Sequence, residues 1–185
     1  MEIVQKVLTD AFVLKPKISK DDRGYFYESF NDKVFHSLIR NQANFIQDNQ
    51  SVSSKGTLRG LHFQVGEFAQ TKLIKVINGE ILDFIVDIRE GTNNYMMLYM
   101  YHMESGDELL VPKGFAHGFI TLRDNTIVQY LVDNDYSPES EGSIVWTNFE
   151  MIKVKIENLV GNFDENDIFD ILSAMKKTNV KINQF

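Results

Sequence analysis

The chain has 185 residues, of which 43% are hydrophobic and 24% charged, a balance typical of one globular domain large enough to bury a core. A formal net charge of -7 argues against a nucleic-acid surface, and the absence of cysteine excludes disulfides and thiolate metal sites. No apolar run reaches the length of a membrane span, and the amino terminus opens into a strand-like pattern rather than a signal peptide. We therefore predict a cytoplasmic protein without a nucleic-acid or membrane partner.

The predicted elements at the start of the chain are short and separated by turn-forming residues. Residues 20–24, Lys-Asp-Asp-Arg-Gly, form a predicted polar turn. Asn31 is a predicted N-cap for a short helix, because apolar residues follow it at helical spacing up to Ile39. Strands or extended segments are predicted around these features, over residues 3–8, 11–18, 25–30 and 45–52.

The middle of the chain consists of further short runs rich in Val, Ile, Phe and Tyr, which glycines separate. The pair Asn78-Gly79 between two of these runs is a strong hairpin signal. Many short antiparallel strands around one core predict an all-β jelly roll. The strands are predicted over residues 57–64, 71–77, 80–88, 95–102, 107–111, 115–121 and 126–132.

The pattern changes after Trp146. Residues 164–177 have the amphipathic character of a helix that ends in two lysines. The predicted architecture is thus a single domain over residues 1–185, with short peripheral helices and a C-terminal helix.

The stretch TLRGLHFQ, residues 57–64, places polar groups on an apolar predicted strand. Strict alternation puts Leu58, Gly60, His62 and Gln64 on one face and Arg59 on the other, provided that no bulge intervenes. Histidine has a proton affinity near neutral pH, and a strand holds it at the fixed geometry that a catalytic base needs. A core histidine bonded to a backbone group is the alternative.

Four strings follow one another in the order RGLHFQ, QTKLIKV, GEILDFIVDIR and VPKGFAHGF, between residues 59 and 119. Together they make the sequence similar to the dTDP-4-dehydrorhamnose 3,5-epimerase family. The resemblance covers about residues 10–148 and is weak in a divergent C-terminal segment from about residue 149. It implies a cupin-type jelly roll, a homodimer and a nucleotide-linked 4-keto-6-deoxy sugar, with dTDP as the nucleotide. Metal-dependent cupins carry a His-x-His pair with a glutamate beyond it, which this sequence lacks, so no metal or other cofactor is expected.

Catalysis in such a family consists of proton transfers at carbon. A ketone at C4 acidifies the hydrogens at C3 and C5, and epimerisation needs a base on one face, an acid on the other and a donor near the enolate oxygen. His62 is the candidate base, since its ordinary pKa leaves it largely neutral at pH 7. The resemblance implies Tyr130 as the acid, by its spacing to Tyr136 and Pro138, and Lys72 as the group that stabilises the oxyanion. An ordinary strand aromatic and a solvated lysine are the alternatives.

A carboxylate behind His62 would stabilise the imidazolium. The resemblance implies a late aspartate, for which Asp167 is the best match, and Asp83 is a competitor. The sequence departs from the family here, because a tryptophan–proline pair is missing and Asn166 replaces a basic residue. A helix-entry aspartate that interacts with the helix dipole is the alternative for Asp167.

The resemblance also implies residues that hold the substrate. Two arginines would contact the pyrophosphate, Tyr136 would stack on the nucleotide base, and Glu141 would make a nearby polar contact. In the family, the early segment that carries Arg23 and Glu28 reaches across to the partner subunit. The matched binding positions are Arg23, Glu28, Gln47, Asn49, Arg59, His117, Tyr136 and Glu141.

The predicted function is metal-independent epimerisation at C3 and C5 through enolate intermediates, in deoxysugar or surface-polysaccharide biosynthesis. Three alternatives stay open on the sequence alone. One is an epimerase that inverts C3 only, and another is a sugar-nucleotide-binding jelly roll without turnover. The third is a metal-dependent cupin oxygenase or isomerase.

Overall fold

The computed structural model describes residues 1–39, 43–145 and 149. Within these residues one α-helix, α1, spans Asp32–Leu38, and 3-10 turns span Gly66–Phe68 and Pro138–Ser140. The remaining regular structure is extended. The strands are β1 (Glu2–Val7), β2 (Ala11–Lys15), β3 (Ser19–Asp21), β4 (Gly24–Phe26), β5 (Gln47–Ser53), β6 (Leu58–Gln64), β7 (Lys72–Asn78), β8 (Glu80–Asp87), β9 (Leu98–Glu104), β10 (Glu108–Val111), β11 (Phe115–Thr121), β12 (Thr126–Val132) and β13 (Glu141–Ser143).

The strands form two sheets and one separate hairpin in the described part of the chain. A six-stranded sheet has the order β1-β2-β10-β7-β12-β5, and a five-stranded sheet has the order β13-β6-β11-β8-β9. Strands β3 and β4 pair only with each other. Neighbouring strands run antiparallel in both sheets. This two-sheet arrangement confirms the predicted all-β jelly roll.

The main apolar core lies between the two sheets. Ile74 and Val76 of β7 meet Ile81 and Ile85 of β8 in this core, and all four are fully buried. Each such side chain contributes roughly 1.5–3 kcal/mol by leaving water. Alternation along β7 therefore directs Lys72, which has the same parity as Ile74, to the inner side of the six-stranded sheet.

Helix α1 covers the outer face of the six-stranded sheet. Asn31 caps the helix by accepting a hydrogen bond from the Val34 amide at 3.2 Å, as predicted. Phe35 of the helix is fully buried against Leu73 and Leu110 of the sheet. The sheet is therefore covered by protein on both faces around β7 and β10.

The largest differences between the predicted and observed element boundaries occur at three places. Strand β2 ends at Lys15 because Pro16 has no amide hydrogen for the ladder. Strand β4 ends at Phe26 because its antiparallel partner β3 begins at Ser19, the residue opposite Phe26. Strand β9 begins only at Leu98, since residues 92–97 form turns back onto Asp87.

The predicted C-terminal helix lies outside the described residues, as does nearly all of the segment predicted to diverge. In the part of the chain that the structure describes, no helix is long and apolar enough to cross a membrane.

Candidate active site

A cavity of about 590 Å³ opens between the two sheets. Its walls come from β5, β7 and β12 of the six-stranded sheet and from β6, β11 and β13 of the five-stranded sheet. The cavity gathers side chains that are far apart in sequence. Nine of the predicted site residues line it, namely Gln47, Asn49, Arg59, His62, Lys72, His117, Tyr130, Tyr136 and Glu141.

A bulge in β6 brings Arg59 and His62 to the same cavity. Opposite these residues on β11 lie Phe119 and His117, so three steps along β6 match two steps along β11. Strict alternation over residues 57–64 was predicted only if no bulge intervened, and this bulge means that it does not hold. Gly60 lies in the bulge with a φ of 96°, and a Cβ atom there would lie 2.5 Å from the His117 carbonyl oxygen, so only glycine fits.

His62 lies on the β6 wall with half of its side chain exposed. Its Nδ1 atom lies 3.6 Å from Glu141 Oε1. Burial lowers the pKa of His62, the carboxylate of Glu141 opposes this shift, and Lys72 and His117 add to it. The imidazole is therefore neutral at pH 7 and able to accept a proton.

Lys72 and Tyr130 lie on the facing wall, on neighbouring strands of the six-stranded sheet. Burial lowers the pKa of Lys72, although Glu141 opposes the shift. Burial raises the pKa of Tyr130, which keeps its phenol protonated at neutral pH. The cavity thus has a neutral imidazole on one wall and a phenol that can donate on the other.

His117 forms a tight pair with Asp83 beneath the β11 wall. Its Nε2 atom lies 2.7 Å from Asp83 Oδ2, and both side chains are buried. Burial raises the pKa of Asp83, and His117 opposes that shift. Asp83 was a candidate to support His62, but the structure places it against His117 instead.

The segment that follows β12 closes one side of the cavity. The Tyr136 hydroxyl donates a hydrogen bond to Glu141 Oε2 at 2.8 Å, and this bond raises the pKa of Tyr136. Gln64 holds the segment, because its side chain donates to the Asp135 carbonyl at 3.0 Å and accepts from the Ser137 amide at 2.6 Å. Gln64 follows His62 by two residues on the same strand but was not among the predicted site residues.

Other predicted binding residues are held by polar partners. Gln47 Nε2 donates to Asn49 Oδ1 at 2.8 Å on β5, and Arg59 Nε donates to Ser53 Oγ at 3.1 Å. Arg59 also lines the cavity, where a guanidinium suits an anionic group.

Two predicted residues, Arg23 and Glu28, do not line the cavity in the part of the chain that the structure describes. Arg23 lies on the exposed β3–β4 hairpin and pairs with Asp21 at 2.5 Å, while Glu28 accepts from Asn31 at 3.1 Å. Asp167 lies outside the described residues. Among the residues that the structure describes, no three histidine, aspartate or glutamate side chains converge as ligands for a metal ion.

A family model described as dTDP-4-dehydrorhamnose 3,5-epimerase matches residues 5–170. The dTDP-4-dehydrorhamnose 3,5-epimerase of Salmonella typhimurium is 43% identical to the chain over 150 residues, which cover 80% of this chain and 82% of that protein.

Two solved structures are similar as well. A crystal structure of dTDP-4-dehydrorhamnose 3,5-epimerase from Bacillus anthracis, with TDP and PPi bound, is 45% identical and has a TM-score of 0.76 over 78% of this chain and 84% of that chain. The dTDP-6-deoxy-D-glucose-3,5-epimerase of Legionella pneumophila, in complex with dTDP-4-keto-L-rhamnose, is 39% identical and has a TM-score of 0.75 over 78% of each chain.

Proposed function

The chain belongs to the dTDP-4-dehydrorhamnose 3,5-epimerase family, and we infer that it is an isomerase acting in dTDP-rhamnose biosynthesis. Its substrate is a dTDP-linked 4-keto-6-deoxy sugar, which it inverts at C3 and C5. The Salmonella typhimurium relative and the Bacillus anthracis structure, 43% and 45% identical to the chain, are named for inversion at both carbons, which favours this function over inversion at C3 alone.

The opposed placement of His62 and Tyr130 supports this function best. The two residues belong to different sheets that face each other across one cavity. Inversion at carbon needs a base on one face of the sugar ring and an acid on the other, which two facing walls provide.

In the proposed reaction, the imidazole of His62 takes a proton from C3 or C5. The electron pair of the broken C–H bond moves through the enolate to the C4 oxygen. The ammonium of Lys72 stabilises that oxygen by charge and hydrogen bonding. The phenol of Tyr130 then returns a proton to the carbon from the other face.

Charge in the cavity fits a sugar diphosphate. The whole chain has a net charge of -7, yet the cavity is lined by the cationic side chains Arg59 and Lys72 and by two histidines. A guanidinium suits phosphate oxygens, so Arg59 is the proposed contact to the pyrophosphate. Local positive charge within an acidic protein draws an anionic substrate to this cavity.

We further propose that the chain acts as a homodimer through the β3–β4 hairpin. The hairpin pairs with neither sheet in the described residues and exposes Tyr25 and Phe26, at 64% and 75% of their surface. An exposed aromatic hairpin that carries Arg23 is suited to docking at the cavity of a second copy. Tyr25→Ser together with Phe26→Ser should shift the sedimentation coefficient to that of a monomer, whereas an already monomeric wild type would contradict the dimer.

The function is tested by incubating the protein with a dTDP-4-keto-6-deoxyhexose in deuterium oxide. NMR should show deuterium entering at both C3 and C5. Exchange at C3 alone would identify the single-carbon alternative, and binding without exchange would identify a non-catalytic protein.

The same assay after exhaustive chelation tests whether a metal takes part. Proton transfer next to a ketone needs no Lewis acid when Lys72 stabilises the oxyanion, so we expect full exchange. Loss of exchange that zinc or iron restores would establish a metal-dependent enzyme instead.

A further inference from the structure

Tyr136 presents its ring to the cavity from a segment that lies outside any strand. This segment connects β12 to the 3-10 turn at Pro138–Ser140. Tyr136 is 54% exposed and lines the cavity, and an exposed aromatic ring at a cavity is suited to stacking on a nucleobase. Such a ring contributes most to affinity when its main chain is ordered before the ligand binds, because ordering it during binding costs free energy.

Gln64 fixes the main chain on both sides of Tyr136. Its Nε2 atom donates to the Asp135 carbonyl at 3.0 Å, and its Oε1 atom accepts from the Ser137 amide at 2.6 Å. The carbonyl belongs to the peptide plane before Tyr136, and the amide belongs to the plane after it. Because each peptide unit is planar, holding both planes restricts the two soft backbone dihedrals of Tyr136 and thereby the direction of its side chain.

The hydrogen bonds of Gln64 require a side-chain amide. Besides its contacts on either side of Tyr136, its Nε2 atom donates to the Phe68 carbonyl at 3.0 Å. Carbonyls only accept and the Ser137 amide only donates, so one orientation of the Gln64 amide satisfies all three groups. The side chain is only 6% exposed, and its removal would leave three main-chain groups without these partners.

Two other side-chain amides secure the start of the same segment. Gln70 Nε2 donates to the Asn134 carbonyl at 2.9 Å, and Asn134 Nδ2 donates to the Glu67 carbonyl at 2.6 Å. These bonds attach the segment to the loop after β6, but they lie before Tyr136 in the chain. Gln64 is therefore the amide whose contacts bear most directly on the direction of the Tyr136 ring.

We propose that Gln64 is a positioning residue for nucleotide binding, which holds Tyr136 in place as a stacking surface for the thymine ring of a dTDP-linked substrate. The inference rests on the proposed function for the identity of the nucleotide. It goes beyond that function by assigning part of the nucleotide affinity to a nearly buried glutamine that acts through Tyr136.

The experiment is calorimetric binding of dTDP to the full chain and to three variants, Gln64→Met, Tyr136→Ala and the double variant. Loss of the stacking ring should weaken binding by about 5- to 150-fold. Loss of the Gln64 amide should weaken it by about 2- to 10-fold, the cost of ordering one side chain at binding. If Gln64 acts through Tyr136, its replacement in the Tyr136→Ala background should weaken binding by less than about 2-fold further.

Two further variants accompany this cycle. Gln64→Met removes three buried hydrogen bonds, so urea unfolding should first show that it is folded at the assay temperature. Gln64→Asn keeps an amide on a shorter side chain that does not reach both sides of Tyr136, and it should give a smaller loss of affinity. Gln129→Met is the matched control, because Gln129 donates to Asp48 at 2.7 Å and does not line the cavity. It should bind dTDP as the wild type does.

Kinetics distinguish positioning of Tyr136 from general loosening of the site. Gln64 follows His62 by two residues on β6, so a merely structural role would disturb the base and lower kcat. Positioning of Tyr136 should instead raise KM for the sugar nucleotide by about 2- to 10-fold and leave kcat nearly unchanged.

Three outcomes would overturn the inference. They are wild-type dTDP affinity in folded Gln64→Met, an equal loss of affinity with and without the Tyr136 ring, and a fall in kcat with KM unchanged. A protein that epimerises but shows any of these results would keep the proposed function and lose the role of Gln64. A protein that binds dTDP with the expected coupling but does not epimerise would do the reverse.

Discussion

The six-stranded sheet carries an ionisable cluster on each of its two faces, with the same residue types in both. The inner cluster combines Lys72 and Tyr130 with Glu141 from the other sheet, and it lines the cavity. The outer cluster combines Lys75, Glu108 and Tyr27 beneath the segment that leads into α1. Burial lowers the pKa of both lysines, so a shifted pKa alone does not tell a functional group from a structural one.

The partners of the two lysines distinguish the clusters. Lys75 donates to the Ser29 carbonyl at 2.6 Å, lies 5.4 Å from the centre of the Phe30 ring and is paired across the strands with Glu108. Lys72 makes no side-chain hydrogen bond or ion pair with the residues that the structure describes. Buried polar groups are normally satisfied, so a lysine that is left with donors free at a cavity is poised for a ligand.

The two cavity histidines differ in the same way. His62 on β6 and His117 on β11 lie opposite each other in the strand pairing. The side chain of His62 is 50% exposed, whereas the side chain of His117 is only 8% exposed. His117 is bonded to Asp83 at 2.7 Å, whereas His62 has the Glu141 carboxylate at 3.6 Å within the described residues. A side chain that must gain and lose a proton in each catalytic cycle is suited to a half-exposed position without a short hydrogen bond to a buried carboxylate.

His62→Asn should produce the largest effect. We expect deuterium exchange at C3 and C5 to fall by at least about 10²- to 10⁴-fold, the usual contribution of a general base. Calorimetric binding of dTDP should persist, because the half-exposed side chain can be replaced without opening the core. An active His62→Asn enzyme would show that another group is the base.

Tyr130→Phe should affect the second proton transfer alone. Since His62 remains, the variant should exchange substrate hydrogen for deuterium with retention while forming about 10²- to 10⁴-fold less epimerised product. NMR of the recovered sugar measures both quantities. Tyr27→Phe, in the outer cluster, is the control and should leave both unchanged.

Equal loss of exchange and epimerisation in Tyr130→Phe would mean that the phenol also takes part in the first proton transfer. Full epimerisation would assign the acid to another group or to water.

Lys72→Met and Lys75→Met should separate activity from stability. Loss of the Lys72 ammonium should lower kcat by about 10²- to 10³-fold, as when one oxyanion donor is removed, and should not destabilise the fold. Loss of the Lys75 ammonium leaves the Ser29 carbonyl without its donor, which should cost about 1–3 kcal/mol in the free energy of unfolding while kcat changes little. Steady-state kinetics measure kcat of both variants, and urea unfolding measures their free energies of unfolding. A stable but inactive Lys75→Met, or an active but destabilised Lys72→Met, would contradict the distinction between the clusters.

Much of the fold could be predicted because its signals are local. The hairpin at Asn78-Gly79 joins β7 to β8, and Gly79 has a φ of 88°. The helix cap at Asn31 was likewise evident from the sequence. Four of the nine cavity residues lie within the family strings, namely Arg59, His62, Lys72 and His117, and the other five were matched through the wider resemblance. Without that resemblance, Tyr130 would have been interpreted as an ordinary strand aromatic.

Other features depend on contacts between distant strands and could not be predicted. The bulge at Gly60 is defined only against β11, more than fifty positions later in the chain. The pairing of Asp83 with His117 and of Lys75 with Glu108 requires the sheet order, which alternation along one strand does not specify. Asp167 remains a prediction, since it lies outside the described residues.

Glu108→Gln should have the smallest effect, and it acts on stability. Burial raises the pKa of Glu108 to about 7, although Lys75 and the amino terminus oppose the shift, and its Oε2 atom has no hydrogen-bond partner in the described structure. Because the folded pKa lies above the ordinary value of 4.5, the folded state binds the extra proton. Stability from this group is therefore fully present below pH 4.5 and is lost as the pH rises to about 7.

Replacement by glutamine removes that pH dependence. We expect Glu108→Gln to exceed the wild type in free energy of unfolding by on the order of 2 kcal/mol at pH 8, with a small difference at pH 4. Urea unfolding across this range measures the difference, and Glu104→Gln on the exposed side of β9 is the control. Since the outer cluster lies away from the cavity, deuterium exchange should remain at the wild-type rate. A loss of exchange in Glu108→Gln would mean that the two faces of the sheet are coupled, which the fixed partners of Lys75 argue against.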